Sequence, residues 1–118
     1  MTRLIIDLRN NPGGVMESAI RMVDEILPGT DVIVETKGRD GVLLGREQAR
    51  VAGGLEQLSV IVMINENAAS ASEIVAGALQ DHDRALIVGR RSFGKGLVQY
   101  PFPLPDGSVL QMTVARYY

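Results

Sequence analysis

Three short apolar runs, separated by two segments with helical periodicity, are the feature that most restricts the fold of this chain. The runs cover Leu4–Leu8, Val60–Ile64 and Ala85–Val88, and they are rich in isoleucine and valine. Runs of this length, bounded by turn residues, are typical of strands that are buried on both faces of a sheet. Their alternation with helices predicts βα crossover units and an α/β fold with a mostly parallel sheet.

Two flanking helices are predicted between these strands. The first covers about Val15–Leu27 and ends at Pro28-Gly29, and the second covers about Ser70–Gln80. Apolar residues recur in both at helical spacing, so one face of each helix should be buried. The predicted inward residues are Val15, Ala19, Met22 and Ile26 in the first helix and Ile74, Val75, Ala78 and Leu79 in the second.

Two β-hairpins complete the predicted fold. Residues 31–36 and 42–45 flank a glycine-containing turn, and residues 97–102 and 109–117 flank Pro105-Asp106-Gly107, a strong turn signal. Prolines at 101, 103 and 105 place the first arm of this C-terminal hairpin at a sheet edge. The sequence contains no repeat or linker, so residues 1–118 are predicted to form one domain.

Composition excludes several classes of function. The formal net charge of −2, from 12 cations and 14 anions, gives no basis for nucleic-acid binding. The absence of cysteine excludes disulfides and thiolate chemistry, and a single histidine disfavours a zinc site, so no metal or cofactor is expected. No apolar run approaches the roughly 20 residues of a spanning helix, and no signal peptide precedes the first strand.

Ser70 lies where a predicted buried strand passes into a predicted helix. A serine there projects from the sheet, next to free N–H groups at the helix N-terminus that could receive an oxyanion. The same residues also fit a capping box, in which Ser70 caps the helix and Glu73 reaches back to it. Capping is the commoner role for this segment taken alone, and both interpretations stay open.

Lys95 is the candidate base for Ser70. His82, the only histidine, would lie about 18 Å away along the second helix at 1.5 Å per residue. A lysine can take a proton only in its neutral form, which burial favours, whereas an arginine stays protonated. Lys95 follows the third strand between two glycines, and parallel neighbouring strands would bring its loop to the edge where Ser70 lies.

The Lys95 segment has two other interpretations. A solvated loop lysine is the commoner case, because most lysines are exposed. Residues 89–95 also match the G-x-x-x-x-G-K pattern of a nucleotide-binding P-loop. That match fails at Gly96, where a serine or threonine should hold magnesium, and an extended segment follows instead of a helix.

Residues 10–14, Asn-Asn-Pro-Gly-Gly, join the first strand to the first helix. Adjacent glycines leave backbone N–H groups unshielded, which suits half of an oxyanion hole, although an ordinary βα turn has the same composition.

Taken in order, these segments resemble the carboxyl-terminal processing peptidases, also called tail-specific proteases. The resemblance is carried by residues 4–14, 70–74, 89–96 and Val98-Gln99, and by the 25-residue step from Ser70 to Lys95. It covers nearly the whole chain, and its specificity lies in the ordered set of motifs.

The resemblance implies a ββα superhelix of the ClpP/crotonase type and a serine endopeptidase that cleaves proteins near their C-termini with a Ser-Lys dyad. Ser70 matches the nucleophile, Lys95 the general base, and Gln99 the residue that orients the lysine. The backbone N–H groups of Gly14 and Ala71 match the oxyanion hole. Ser72 is expected to be structural, and no role is assigned to His82, Glu73 or Arg9.

The resemblance also implies what surrounds this segment. Family members carry a PDZ domain before the first motif, which holds substrate tails, and further strands on both sides. The 118 residues are therefore expected to be a peptidase-core fragment with weak or no activity, whose exposed sheet edges invite homo-oligomerisation. An extracytoplasmic location, in the periplasm or cell envelope, is implied for the parent protein.

The sequence leaves open two alternatives to a peptidase function. A crotonase-like acyl-CoA enzyme would share the fold and the oxyanion-hole geometry. A non-catalytic interaction domain would use Ser70 only as a helix cap, so Ser70→Ala would cost about 1 kcal/mol of stability and nothing else.

Overall fold

Seven strands in two sheets and two α-helices make up residues 2–50 and 53–118, the part of the chain that the computed structural model describes. The parallel sheet contains β1 (Arg3–Asp7), β4 (Ser59–Ile64) and β5 (Ala85–Gly89) in the order β1-β4-β5. The antiparallel sheet has the order β3-β2-β7-β6, with β2 at Val32–Lys37, β3 at Leu43–Gln48, β6 at Leu97–Pro103 and β7 at Val109–Tyr117. The helices are α1 (Met16–Asp24) and α2 (Ala71–Asp81), and a single 3-10 turn covers Arg39–Gly41.

The α/β class, both helices and both hairpins are confirmed, but the prediction of a mostly parallel sheet is wrong. Three strands are parallel and four are antiparallel. The reason is a long-range pairing between the two hairpins: Thr36 of β2 pairs with Tyr117 of β7, so the hairpins form a sheet of their own. Strand β6 lies at the edge of that sheet, as its prolines predict.

The parallel sheet has one covered face and one open face. Val60 and Val62 of β4 are buried beneath the helices, in register with the partly buried Leu4 and Ile6 of β1. The opposite face is apolar as well, yet Ile5 is 61% exposed and Leu86 is 63% exposed. The prediction that all three strands are buried on both faces is therefore wrong for β1 and β5, because the helices cover only one side of the sheet.

Helix α2 is the centre of the hydrophobic core, and its predicted inward face is confirmed. Ile74, Val75, Ala78 and Leu79 are all buried. The helix packs against β5 of the parallel sheet, β2 of the antiparallel sheet and α1. It thus joins the two sheets into one core.

The predicted face of α1 is only half correct. Ala19 and Ile26 are buried, but Val15 and Met22 are exposed, and Val23 is the second buried residue of the helix. The helix also ends at Asp24, three residues earlier than predicted. The turn after it buries Ile26 in the core, and there the Leu27 N–H still donates to the Val23 carbonyl oxygen at 2.8 Å.

The carboxyl ends of β1, β4 and β5 meet at one edge of the parallel sheet, because the three strands run in the same direction. The loops that leave this edge are residues 8–15, 65–70 and 90–96. They contain all the predicted site residues except Gln99 and Ala71, and Ala71 follows at once as the first residue of α2. Within the described residues, no helix is long and apolar enough to cross a membrane.

Candidate active site

Ser70 is held in a strained backbone conformation at the start of α2. Its φ of 56° and ψ of −117° lie in a region that side chains other than glycine rarely adopt. Its hydroxyl lies near the Glu73 N–H, as in a capping box, but that N–H is donated to the Ser70 carbonyl oxygen at 2.8 Å. Both halves of the capping box are present, since the Glu73 carboxylate in turn accepts the Ser70 N–H at 2.8 Å.

Ser70 and Lys95 line the same cavity, which has a volume of about 580 Å³. The cavity extends along α2 towards β2, and its apolar wall includes Ile74 and Ala78. Lys95 is exposed, and no hydrogen bond joins its Nζ to Ser70 Oγ within residues 2–50 and 53–118. The structure therefore brings the two predicted residues to one cavity without joining their side chains.

Gln99 lies apart from this cavity. It is exposed on β6, where it pairs with Thr113 across the hairpin, and it is not among the residues that line the wall.

The turn at Gly13-Gly14 lies directly against the start of α2. A Cβ atom added to Gly13 would stand 2.5 Å from the Ala69 carbonyl oxygen and 2.9 Å from Ser70 Cβ, so only glycine fits there. Gly14 and Ala71 together line a second cavity of about 180 Å³ on the other side of this contact. In the part of the chain that the structure describes, the N–H groups of Gly14 and Ala71 have no hydrogen-bond acceptor.

The side chains of three asparagines and the main chain of a fourth connect the loop after β1 to the loop after β4 and the start of α2. Asn65 Oδ1 accepts the Asn10 N–H at 2.8 Å, while Asn10 Oδ1 accepts side-chain N–H groups of Asn65 and Asn67 at 2.9 Å each. The Asn11 carbonyl oxygen accepts the Ala69 N–H at 3.1 Å and the Ser72 hydroxyl at 3.1 Å. These bonds hold the Gly13-Gly14 turn beside Ser70, and Ser72 has the structural role expected of it.

Glu73 joins the start of α2 to the Lys95 loop. Its carboxylate accepts the backbone N–H groups of Ser70 and Lys95 at 2.8 Å each, that of Gly94 at 2.6 Å, and the Ser92 hydroxyl at 2.7 Å. Burial acts to raise the pKa of Glu73, but the hydrogen bonds from Ser92, Gly94, Ser70 and Lys95 outweigh it and hold the pKa below the usual value for glutamate. The Ser-x-x-Glu spacing signals the contact with Ser70, but no local sequence signal predicts the contacts with residues 92–95.

His82 and Arg9 make structural contacts, and His82 also lines the far part of the cavity that contains Ser70 and Lys95. His82 Nε2 lies 2.8 Å from the Val32 carbonyl oxygen and ties the end of α2 to the start of β2. Arg9 pairs with Asp7, and hydrogen bonds from its side chain and backbone lower the pKa of Asp7 to about 2.

Known proteins share this sequence and this fold. Residues 1–118 match the model of peptidase family S41. The carboxy-terminal-processing protease of Bartonella bacilliformis is 47% identical over 114 residues, which are 97% of this chain and 26% of that protein. The carboxyl-terminal-processing peptidase 3, chloroplastic, of Arabidopsis thaliana is 43% identical over 113 residues, which are 96% of this chain and 22% of that protein. The solved structure of a photosystem II D1 C-terminal processing protease superposes with a TM-score of 0.90 at 37% identity, covering 100% of this chain and 30% of that one.

The chain belongs to peptidase family S41, a family of serine peptidases. Within that family its relatives are carboxyl-terminal processing proteases, which confirms the resemblance seen in the ordered sequence motifs. The chain spans about a quarter of the length of the curated relatives it matches.

Proposed function

We propose that this chain is the core of a serine endopeptidase in which Ser70 attacks the substrate and Lys95 is its base. The observation that supports this best is the shared cavity, whose wall contains both residues at the edge where three parallel strands end. Strained backbone conformations of the kind found at Ser70 cluster at active sites, which adds to the case.

The reaction would proceed through an acyl-enzyme. Neutral Lys95 takes the proton of the Ser70 hydroxyl while Ser70 Oγ attacks a peptide carbonyl carbon. The N–H groups of Gly14 and Ala71 stabilise the oxyanion, at about 3 kcal/mol per donor in comparable sites. Lys95 then gives its proton to the leaving amine, and water releases the acyl group from Ser70.

Water must leave the Lys95 amine for this reaction, because the neutral form of a lysine is favoured by desolvation. Lys95 is exposed in these 118 residues, so we propose that bound substrate or a further segment of a longer protein covers it. We also propose that Gln99, which is exposed on β6, contacts the Lys95 side chain once this site is covered. Gln99 would then orient the lysine, as the family resemblance implies. The 118 residues alone are accordingly expected to have weak or no activity.

The substrates would be the C-terminal tails of proteins, as the family resemblance implies. We further propose that residues 1–118 form one peptidase-core domain within a ββα superhelix of the ClpP/crotonase type, and that the parent protein works outside the cytoplasm. One relative is named as chloroplastic.

A role of Ser70 as a helix cap alone is disfavoured by its hydrogen bonding. Its side chain does face the Glu73 N–H in a capping box, but that N–H donates to the Ser70 carbonyl oxygen at 2.8 Å, and the φ of 56° is not that of an ordinary capping residue. Removing the hydroxyl should therefore affect catalysis far more than stability.

The test uses a longer protein that carries these 118 residues, with an unstructured protein as substrate. Ser70→Ala and Lys95→Arg should each reduce cleavage by at least about 10³-fold, in keeping with the loss of one member of a catalytic unit. A fluorophosphonate probe should label Ser70 in the parent protein, as identified by mass spectrometry, and should label neither variant.

Lys37→Arg is the matched control, because Lys37 is the only other lysine of the chain and lies in the antiparallel sheet. It should retain normal cleavage. Full activity of Lys95→Arg would exclude Lys95 as the base, since arginine cannot take the proton. Full activity of Ser70→Ala would exclude Ser70 as the nucleophile. An unmutated protein that shows neither cleavage nor labelling at Ser70 would favour the non-catalytic alternative, and coenzyme A binding that survives Lys95→Ala would favour an acyl-CoA enzyme.

A further inference from the structure

One carboxylate, that of Glu73, contacts the main chain of both proposed catalytic residues. Its Oε2 atom accepts the Ser70 N–H and the Lys95 N–H, each at 2.8 Å. Its Oε1 atom accepts the Ser92 hydroxyl at 2.7 Å and the Gly94 N–H at 2.6 Å. Ser70 and Lys95, which are 25 residues apart in the sequence, are therefore bound to the same oxygen atom of one planar group, whose other oxygen holds the rest of the Lys95 loop.

The Lys95 loop depends on this carboxylate for its position. Lys95 stands between two glycines, and Gly94 has a φ of +90°, so the backbone of the loop has little intrinsic preference for one conformation. Two further backbone bonds attach the loop near this point, from the Phe93 N–H to the Ala68 carbonyl oxygen at 2.9 Å and from the Tyr117 N–H to the Gly96 carbonyl oxygen at 3.0 Å, but neither of them connects the loop to Ser70. The Lys95 side chain is exposed, so packing of the side chain does not hold it in place.

The chemistry of the site requires an ionised carboxylate. Each of the four partners is a donor, and a carboxylate is the side-chain group that offers two acceptor oxygens and no hydrogen. The lowered pKa of Glu73 agrees with this, since hydrogen bonds to a carboxylate favour its charged form. In Glu73→Gln, an amide NH₂ would face two N–H or O–H donors, and half of the contacts would be lost.

We propose that Glu73 is a positioning residue, which sets the distance between Ser70 and Lys95 by holding the Lys95 loop against the start of α2. The inference rests on the proposed Ser-Lys mechanism, and Glu73 acts through the two backbones without touching the substrate. A glutamate that only caps the helix would need the Ser70 contact alone, and the three contacts with residues 92–95 would then have no function.

The test compares Glu73→Gln with Glu66→Gln in the longer protein used above. Glu66 lies on the loop before Ser70, and its exposed carboxylate makes a single contact of 3.4 Å with the exposed Arg90 side chain, so the control makes the same chemical change at a weaker, side-chain link between the same two loops. We expect Glu73→Gln to lower kcat by about 10²-fold, the order of loss that a 1 Å misplacement causes, while KM changes little. Glu66→Gln should leave both constants within about twofold of the parent.

A purely structural role predicts a different result. Glu73→Gln would then lower the stability measured by urea unfolding, while kcat per folded molecule and the rate of fluorophosphonate labelling at Ser70 would stay unchanged. That outcome would overturn the proposal, as would an equal loss of kcat in Glu66→Gln.

A second pair of variants keeps the test decisive if Glu73→Gln does not fold. Ser92→Ala removes one of the four donors, and Ser92→Thr keeps the hydroxyl. We expect Ser92→Ala to lower kcat by about 3- to 10-fold, the equivalent of one hydrogen bond, and Ser92→Thr to restore most of it. Unchanged kcat in Ser92→Ala would contradict the proposal.

The assay separates this inference from the proposed function. If Ser70→Ala and Lys95→Arg abolish cleavage while Glu73→Gln and Ser92→Ala do not reduce kcat, the dyad stands and the positioning role is wrong. If Ser70→Ala retains cleavage, the Ser-Lys mechanism itself is wrong.

Discussion

At the scale of single residues, the unusual backbone of Ser70 distinguishes it from an ordinary N-cap serine. An N-cap residue normally has extended backbone angles, whereas Ser70 has a positive φ of 56°. Holding a residue other than glycine in such a region costs about 1–3 kcal/mol. The contacts around Ser70 over-determine this conformation, since its N–H is bound by Glu73 and the Gly13 backbone lies against its Cβ.

This strain predicts an unusual order of stability among variants. Ser70→Gly should be more stable than Ser70→Ala by about 1 kcal/mol, because relief of the strain exceeds the extra unfolded-state entropy of glycine. The measurement is the free energy of unfolding from urea titration of both variants.

The corresponding variants Ser72→Gly and Ser72→Ala are the control. Ser72 lies in the first turns of α2, where glycine is about 1 kcal/mol worse than alanine, so the order of the two variants should be reversed. An alanine variant at position 70 that equals or exceeds the glycine variant in stability would mean that the backbone there is not strained.

At the scale of elements, the site is built by the approach of three loops at one sheet edge. The turn at Gly13-Gly14 comes so close to the start of α2 that no side chain fits between them at Gly13. Gly14, one residue later, has nothing within 4 Å of the position where its Cβ would stand. The two glycines therefore have different roles, since one permits the close approach and the other leaves its N–H open.

We expect Gly13→Ala to destabilise the protein by at least about 1–3 kcal/mol, the cost of its φ of +93° alone, with the clash against α2 in addition. Gly14→Ala should change the free energy of unfolding by less than about 1 kcal/mol. Thermal and urea unfolding of the two variants, measured side by side, provide the comparison. Equal effects at both positions would show that the turn is not held against the helix.

At the scale of the whole molecule, these residues leave much apolar surface uncovered. The radius of gyration is 15.5 Å, compared with about 13.5 Å for a compact domain of this length. The open face of the parallel sheet carries Ile5, Leu86 and Val88, and the β6–β7 hairpin exposes apolar side chains along most of its length. Contiguous apolar surface of this kind favours association.

The isolated chain should therefore self-associate, as the exposed edges predicted in the sequence also imply. Leu86→Lys, which places a charge on the open face, should shift the protein towards monomer in sedimentation velocity experiments. Val42→Lys is the control, since Val42 is exposed to a similar degree in the turn between β2 and β3. A parent chain that is monomeric at all concentrations, or an equal effect of both variants, would contradict this prediction.

The sequence by itself determined the elements and the edge at which the candidate site lies. Periodicity within α2 identified Ile74, Val75, Ala78 and Leu79 as its buried face, because helical spacing is a local property. The sequence pattern also predicted that the strands are parallel. Because parallel strands end at one edge of a sheet, this prediction was enough to place the loops of Ser70 and Lys95 together.

Tertiary structure alone decided how these elements are joined. The pairing of β2 with β7, the open face beside Ile5 and the contacts of Glu73 with residues 92–95 all connect segments that are distant in the sequence. The sequence pattern around Ile5 is equally apolar whether or not another layer covers it, so burial could not be predicted locally. The hydrogen-bond partners of a carboxylate likewise depend on which donors lie near it in space, and the spacing of residues along the chain does not predict this for residues as distant as 73 and 92–95.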